Sequence, residues 1–177
     1  VTADDREVED LYTVMEWLYD NVPDDEEYPN TLVHGDYKLD NLMFGPGEDP
    51  EIAAIFDWEM STLGDPFTDL GWLLSYWRDE GDPESPLPSL AQPFLTREGY
   101  PTRRELVDRY ERKTGFDFDD ATFYWVLAAY KLAGLGEMFY RRYLEGNSAD
   151  PMYPKMEEGV PALAEHALAI INGELTL

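Results

Sequence analysis

Residues 31–44 read TLVHGDYKLDNLMF, and residues 51–58 read EIAAIFDW. The apolar runs of these two segments flank the turn-rich GPGEDP at 45–50, a pattern that predicts an antiparallel hairpin with a loop longer than two residues. Ahead of the hairpin, the chain crowds His34, Asp36, Lys38, Asp40 and Asn41 between segments suited to burial. Polar groups in such a place require hydrogen bonds, a metal or a ligand.

If the turn centres between Pro46 and Glu51, Asn41 and Asp57 fall nearly opposite each other at the open end of the hairpin. Paired Cα atoms there lie about 5 Å apart. Asp36 enters just upstream of the same end. One amide oxygen and two carboxylates are hard ligands of the kind that suits Mg²⁺, which keeps several waters and takes substrate phosphates. The order is also telling. His34-Gly35-Asp36 is followed by Asn41 five residues after the aspartate, and by Asp57 at the end of the next strand. Protein kinases space their catalytic aspartate and magnesium-binding asparagine in this way, then supply a second metal ligand from Asp-Phe-Gly. Lys38 follows Asp36 by two residues, where a cation could neutralise a transferring phosphoryl group. It is one of only four lysines in the chain.

Outward from this centre the pattern is helical. Val8, Leu11, Val14, Met15, Leu18 and Val22 recur at steps of three and four before Pro23, with Thr2 and Asp5 as a plausible N-terminal cap and the acidic loop PDDEEYPN following. STLGDP reads as a turn, and PFTDLGWLLSYW as a helix with Pro66 in its first turn. Residues 81–101 hold five of the 13 prolines and form a long connection. Thr102 and Glu105 form a capping box. A longer helix is expected over about 119–145, with Phe123, Val126, Leu127, Tyr130, Gly134 and Met138 on one face and Gly146 at its end. A last helix is expected over about 155–172.

Composition narrows the function classes. With 38 acidic residues against 13 basic, the formal charge is −25. Such a charge repels itself in dilute buffer, and salt screens it over roughly 10 Å at 0.1 M and about 3 Å at 1 M. A salt-adapted, halophilic cytoplasmic protein is one expectation, but solubility alone is the weightier account of the charge. No basic stripe exists to meet nucleic-acid phosphates. The absence of cysteine excludes disulfides and thiolate nucleophiles. The apolar stretch FYWVLAAYKLAGLGEMFY contains Lys131 and Glu137 and reads as a buried helix, not a membrane span.

HGDYKLDNLMF together with IAAIFDWEMSTLGDPFTDLGWLLSYW resembles the aminoglycoside phosphotransferase-type family of kinase-like enzymes. The likeness is greatest to the branch of kinase domains associated with acyl-CoA dehydrogenases, and YWVLAAYKLAGLGEMFYRRYLEGNSAD fits that branch too. It covers nearly all of the chain. The resemblance implies an α+β fold, a protein-kinase-like C-terminal lobe that is mainly helical with a small β-hairpin carrying the catalytic and metal loops. It implies Asp36 as catalytic base for a substrate hydroxyl, Asn41 and Asp57 as Mg²⁺ ligands, and ATP-dependent O-phosphorylation of a small molecule. Lys38 is expected to act on the nucleotide, His34 to brace the catalytic loop, and Asp69 to support it from the GDPxxD segment.

Kinase-like enzymes clamp ATP with a glycine-rich loop and a strand lysine in a first lobe. Neither is found here, and only about 30 residues precede the catalytic loop. The expectation is therefore that 1–177 is the C-terminal lobe alone, with an N-terminal lobe as its missing partner. A non-catalytic or truncated kinase-like binding module is one alternative. A metal-dependent phosphoesterase is another, but it needs more histidines than the two present. Among the remaining residues, Asp65 reads as a cap, and Trp72, Tyr76 and Trp77 as core. Asp117, Asp119 and Asp120 read as a helix start, Arg141 and Arg142 as dipole partners, and His166 as surface.

Overall fold

A computed structural model of the chain describes residues 6–23, 30–48, 51–87 and 92–177. The expected Thr2–Asp5 cap, most of the acidic loop and residues 88–91 of the proline-rich connection lie outside the described residues. The class is α+β: among the described residues, two antiparallel two-stranded ribbons are set among five α-helices.

Helix α1 (Glu9–Asp20) buries Val14 and Leu18, two of the residues whose spacing predicts it. The expected hairpin forms from β2 (Leu42–Phe44) and β3 (Ile52–Ile55), with Leu42 opposite Ile55 and Met43 opposite Ala54. A register shift between Met43 and Phe44 then brings Phe44 opposite Ile52.

A second ribbon departs from expectation. Residues read as the turn STLGDP contribute a strand, β4 (Thr62–Gly64), paired with β1 (Thr31–Val33) so that Leu32 faces Leu63. Three residues carry too little alternation to signal a strand, and the partner lies some 30 positions earlier in the chain. This ribbon brackets the polar loop on one side and feeds α2 (Phe67–Tyr76) on the other. Asp65 acts as the expected cap: its carboxylate accepts Phe67 N–H at 2.8 Å, and Pro66 directly precedes the helix.

Helix α3 (Arg103–Thr114) begins with the expected reciprocal box between Thr102 and Glu105 and ends at Gly115. Helices α4 (Ala121–Leu144) and α5 (Met156–Ile171) form the main helical pair. Gly146 follows α4 with φ +71°. The buried face of α4 differs from the expected stripe. Trp125, Val126, Ala129, Ala133, Gly136 and Tyr140 are buried, whereas Gly134 is exposed and Met138 is 47% exposed. A helix apolar nearly all round gives no single stripe to read. Its small residues decide instead: a Cβ on Gly136 would sit 2.9 Å from Val160 Cγ2, so only glycine allows the close approach of α5.

Pro161 lies inside α5 and has no N–H to give Glu157 O, its acceptor one turn earlier. Arg6 fills that gap. Its guanidinium donates to Glu157 O and, at 2.7 Å, to Met156 O, while pairing with Glu137 at 3.1 Å.

His166 is not on the surface as expected. It is half-buried and meets the Trp125 ring edge-on at 6.0 Å. Burial first, then the nearby Arg103 and Arg78, lowers its pKa from the ordinary 6.5, against a raising influence from Asp82. Arg103 itself is 5% exposed and bonds the carboxylate of Asp82 and the carbonyls of Leu74 and Trp77. Among the described residues no helix is long and apolar enough to cross a membrane.

Candidate active site

The loop from His34 to Lys38 runs from β1 to a single 3₁₀ turn, Leu39–Asn41, that opens β2. Its backbone is fixed from α2. Asp69, in the first turn of that helix, accepts His34 N–H at 2.6 Å and Gly35 N–H at 2.8 Å. Gly35 has φ +81°, and a side chain there would collide with Met60 O, so the turn requires glycine.

His34 is 2% exposed and is wholly engaged with backbone. Its Nδ1 accepts Asp36 N–H at 3.2 Å, which places the ring proton on Nε2 for donation to Phe56 O at 2.7 Å. The ring also lies 4.7 Å from that of Trp58. His34 therefore ties the loop to the end of β3, and with both nitrogens committed it has no lone pair for a metal.

Three donors converge on the carboxylate of Asp36. Lys38 Nζ lies 3.0 and 2.8 Å from its two oxygens, Trp72 Nε1 lies 2.8 Å from Oδ1, and Asn41 Nδ2 lies 3.0 Å from Oδ2. Burial alone would raise the pKa of this group. The hydrogen bonds from Lys38, Trp72 and Asn41 outweigh it and hold Asp36 below the usual carboxylate value. The group is thus ionised at neutral pH, with its oxygens fixed in direction. It can align a hydroxyl and receive its proton as charge develops.

Asn41 continues the ladder of the hairpin, its carbonyl accepting Phe56 N–H at 2.8 Å, and Asp57 is the next residue along. The predicted register therefore brings these two positions together at the open end. The Asn41 amide nitrogen is committed to Asp36, through both its carbonyl at 2.8 Å and its carboxylate. Its side-chain amide oxygen, Oδ1, is left as the available acceptor. Asp57 is exposed, and its carboxylate makes no hydrogen bond or ion pair with the described residues. Among the described residues it is the only non-glycine with positive φ, at +65°. Aspartate tolerates this conformation better than most residues, yet such backbone is typical of functional positions.

The Asn41 side-chain oxygen and the Asp57 carboxylate are hard donors, the type that suits Mg²⁺, an ion that completes its shell with water and phosphate. Among the described residues no group of three or more His, Cys, Asp or Glu side chains gathers to hold a metal.

Two residues of this site escape a reading of the sequence. Trp72 is 2% exposed and is core, as expected, but its one polar atom binds Asp36. Lys131, from α4, donates to Gly35 O and lies 4.2 Å above the Trp72 ring. The available signal is scarcity: two of the chain's four lysines meet at one loop. Tyr76 also borders the site, 5.6 Å from Lys38 Nζ. Burial, with Asp36 and Asp40 nearby, pushes its phenol well above the usual range.

The profile of the phosphotransferase enzyme family (APH) matches residues 1–106. The mouse acyl-CoA dehydrogenase family member 11 is 36% identical over 159 residues, covering 87% of this chain and 20% of the mouse protein. The human member 11 is 32% identical over 170 residues, covering 93% and 21%. The mouse member 10 is 31% identical over 167 residues, covering 93% and 15%. The chain thus spans about a fifth of the length of the curated relatives it matches. A Ralstonia eutropha crystal structure, solved as a candidate aminoglycoside phosphotransferase, superposes with a TM-score of 0.80 at 26% identity. The match covers 96% of this chain and 51% of that one.

Proposed function

Because the chain belongs to the APH phosphotransferase enzyme family, we propose that it is the catalytic lobe of a small-molecule kinase that phosphorylates a hydroxyl at the expense of ATP. Asp36 is the base, and the convergence of Lys38, Trp72 and Asn41 on its carboxylate carries this reading. That arrangement keeps the carboxylate ionised and aimed. Asn41, through its side-chain amide oxygen Oδ1, and Asp57 are the residues that would hold magnesium. Bound Mg²⁺–ATP supplies the phosphoryl group and the neutralising charge. Lys38 holds Asp36 in place and adds positive charge beside the transferring group. His34 and Asp69 fix the loop from opposite sides. The acidic composition suits a salt-rich cytoplasm.

The nucleotide site is completed by an N-terminal lobe. Leu32, Met43, Phe44, Ile52, Phe56, Trp58, Met60 and Leu63 are all exposed on and around the two ribbons, Leu63 by 75%. Two-stranded ribbons are marginal on their own, and apolar surface on this scale favours a covering partner. The same exposure favours a second reading, in which the isolated chain is a truncated binding module without turnover. Calorimetric titration with Mg²⁺ and ATP separates the two: absence of binding by a polypeptide carrying both lobes supports the module.

The test of the base is Asp36→Asn in a two-lobed polypeptide, assayed with labelled ATP. Phosphoryl transfer should fall by about 10²–10⁴-fold while the protein stays folded. Normal turnover would remove Asp36 from this role. A two-metal phosphoesterase is disfavoured because both nitrogens of His34 are engaged within the protein and His166 packs on Trp125.

A further inference from the structure

Lys131 comes from α4, 96 positions beyond Gly35, and is half-buried there. A lysine is costly to place among apolar groups unless its charge is used. The helix seam explains how it arrives. A Cβ on Gly71 would lie 2.6 Å from Tyr124 O, so α2 and α4 touch backbone to backbone at that point. Tyr124 and Lys131 are seven residues apart and share a helix face. Contact at Gly71 therefore delivers Lys131, two turns along α4, over the ring of Trp72, the residue next to Gly71. From there its ammonium group reaches two targets: the Gly35 carbonyl, immediately before Asp36, and the face of Trp72, whose N–H holds Asp36 Oδ1.

We propose that Lys131 is a positioning residue for Asp36, holding the loop carbonyl and the Trp72 indole in one arrangement so that the carboxylate keeps its direction. The inference rests on the reading of Asp36 as the base, but its geometric content is separable from that reading. The contacts of Lys131 are with the Gly35 carbonyl and the Trp72 ring, and the charges of Asp36 and Asp69 lie near enough to act on its ammonium group directly. Lys38 acts by direct pairing, so the two lysines have different roles. An arginine at position 131 retains the charge, the donor and the attraction to an indole face. A methionine retains only the bulk.

The test uses the full ¹⁵N-labelled chain and the indole N–H signals of its five tryptophans, with the Trp72 signal identified by its loss in Trp72→Phe. In Lys131→Met, the Trp72 N–H should exchange with solvent about ten-fold faster, as expected for losing the protection of one hydrogen bond. The signals of Trp17 and Trp58 should keep their rates. Lys131→Arg should restore protection, and Lys155→Met, at an exposed lysine, should change nothing. An unmoved Trp72 signal in Lys131→Met overturns the proposal. So does equal acceleration at all five indoles with a lowered unfolding midpoint, which marks a general structural role. If Lys131→Met does not fold, Lys131→Gln is read by the same criteria. Should Asp36→Asn leave turnover intact while Lys131→Met still frees Trp72, the base assignment falls and the positioning role stands.

Discussion

Trp72 donates its indole N–H to Oδ1 of Asp36 at 2.8 Å, joining the first helix after the ribbons to a loop 36 positions earlier. One side chain therefore serves two purposes. Its ring belongs to the buried interior, and its single polar atom orients the carboxylate on which the proposed chemistry depends.

Trp72→Phe separates these purposes, since it keeps an aromatic ring and deletes the donor. Hydrogen bonds to charged groups contribute about 1.5–3 kcal/mol, so a loss of about 2 kcal/mol is expected in urea unfolding. The Asp36 pKa should rise, because one of the interactions that lower it is gone. Unchanged stability together with an unchanged Asp36 titration by NMR would contradict the assignment.

Arg103 should prove among the most sensitive positions outside the site. Its guanidinium pairs with Asp82 at 2.6 Å and Asp79 at 3.5 Å, and those carboxylates keep 19% and 24% of their side-chain exposure. Removing one partner of a buried pair costs about 3–5 kcal/mol, and the residual exposure places Arg103→Met near the lower end, at about 3 kcal/mol. Equilibrium unfolding in guanidinium chloride measures this directly.

Arg6 and Pro161 should be energetically coupled. Pro161→Ala supplies an N–H for Glu157 O, the carbonyl that Arg6 otherwise satisfies. Arg6→Met should therefore be less damaging in the Pro161→Ala background than in the wild type, by about 0.5–1.5 kcal/mol. Strict additivity in the double-mutant cycle would mean that the arginine does not compensate for the proline.

Acid should weaken the fold in two separate pH windows. Asp36 and Asp82 have folded pKa values below the ordinary 3.8. Their contribution is complete above 3.8 and is lost as pH falls from there through the depressed folded values. His166 acts earlier. Its folded pKa lies below 6.5, so the unfolded chain binds the proton first, and stability declines as pH drops below 6.5 towards the folded value. His166→Gln should flatten this upper limb and leave the lower one. Unfolding midpoints followed from pH 8 to pH 3 would reveal either limb.

The hairpin was legible because its information is local. GPGEDP fixes the turn, the apolar runs on either side mark the strands, and together they place Asn41 and Asp57 at one end. The five-residue spacing of Asp36 and Asn41 is local too, and the two side chains meet at 3.0 Å. β4 was not legible, since Thr62–Gly64 becomes a strand only by pairing with Thr31–Val33. Nor was the role of Trp72, because a tryptophan in an apolar helix face reads as core, and it is core. His166 was misread for a related reason: a polar residue on a terminal helix is ordinarily solvated, and only the packing of Trp125 beside it shows otherwise. Pattern reports which residues favour burial. It does not report which atoms meet across distant elements.

The reach of Lys131 to the Gly35 carbonyl also sets a clock on biogenesis. During translation the His34–Lys38 segment leaves the ribosome well before the residue that clamps it. At roughly 5–20 residues per second, that delay amounts to roughly 5–20 s. Early in this interval the nascent loop has its own Lys38 alone; α2 follows, and cover from α4 comes last. The clamped loop is therefore a late product of synthesis, and a chain released before α4 emerges would carry the motif without its clamp.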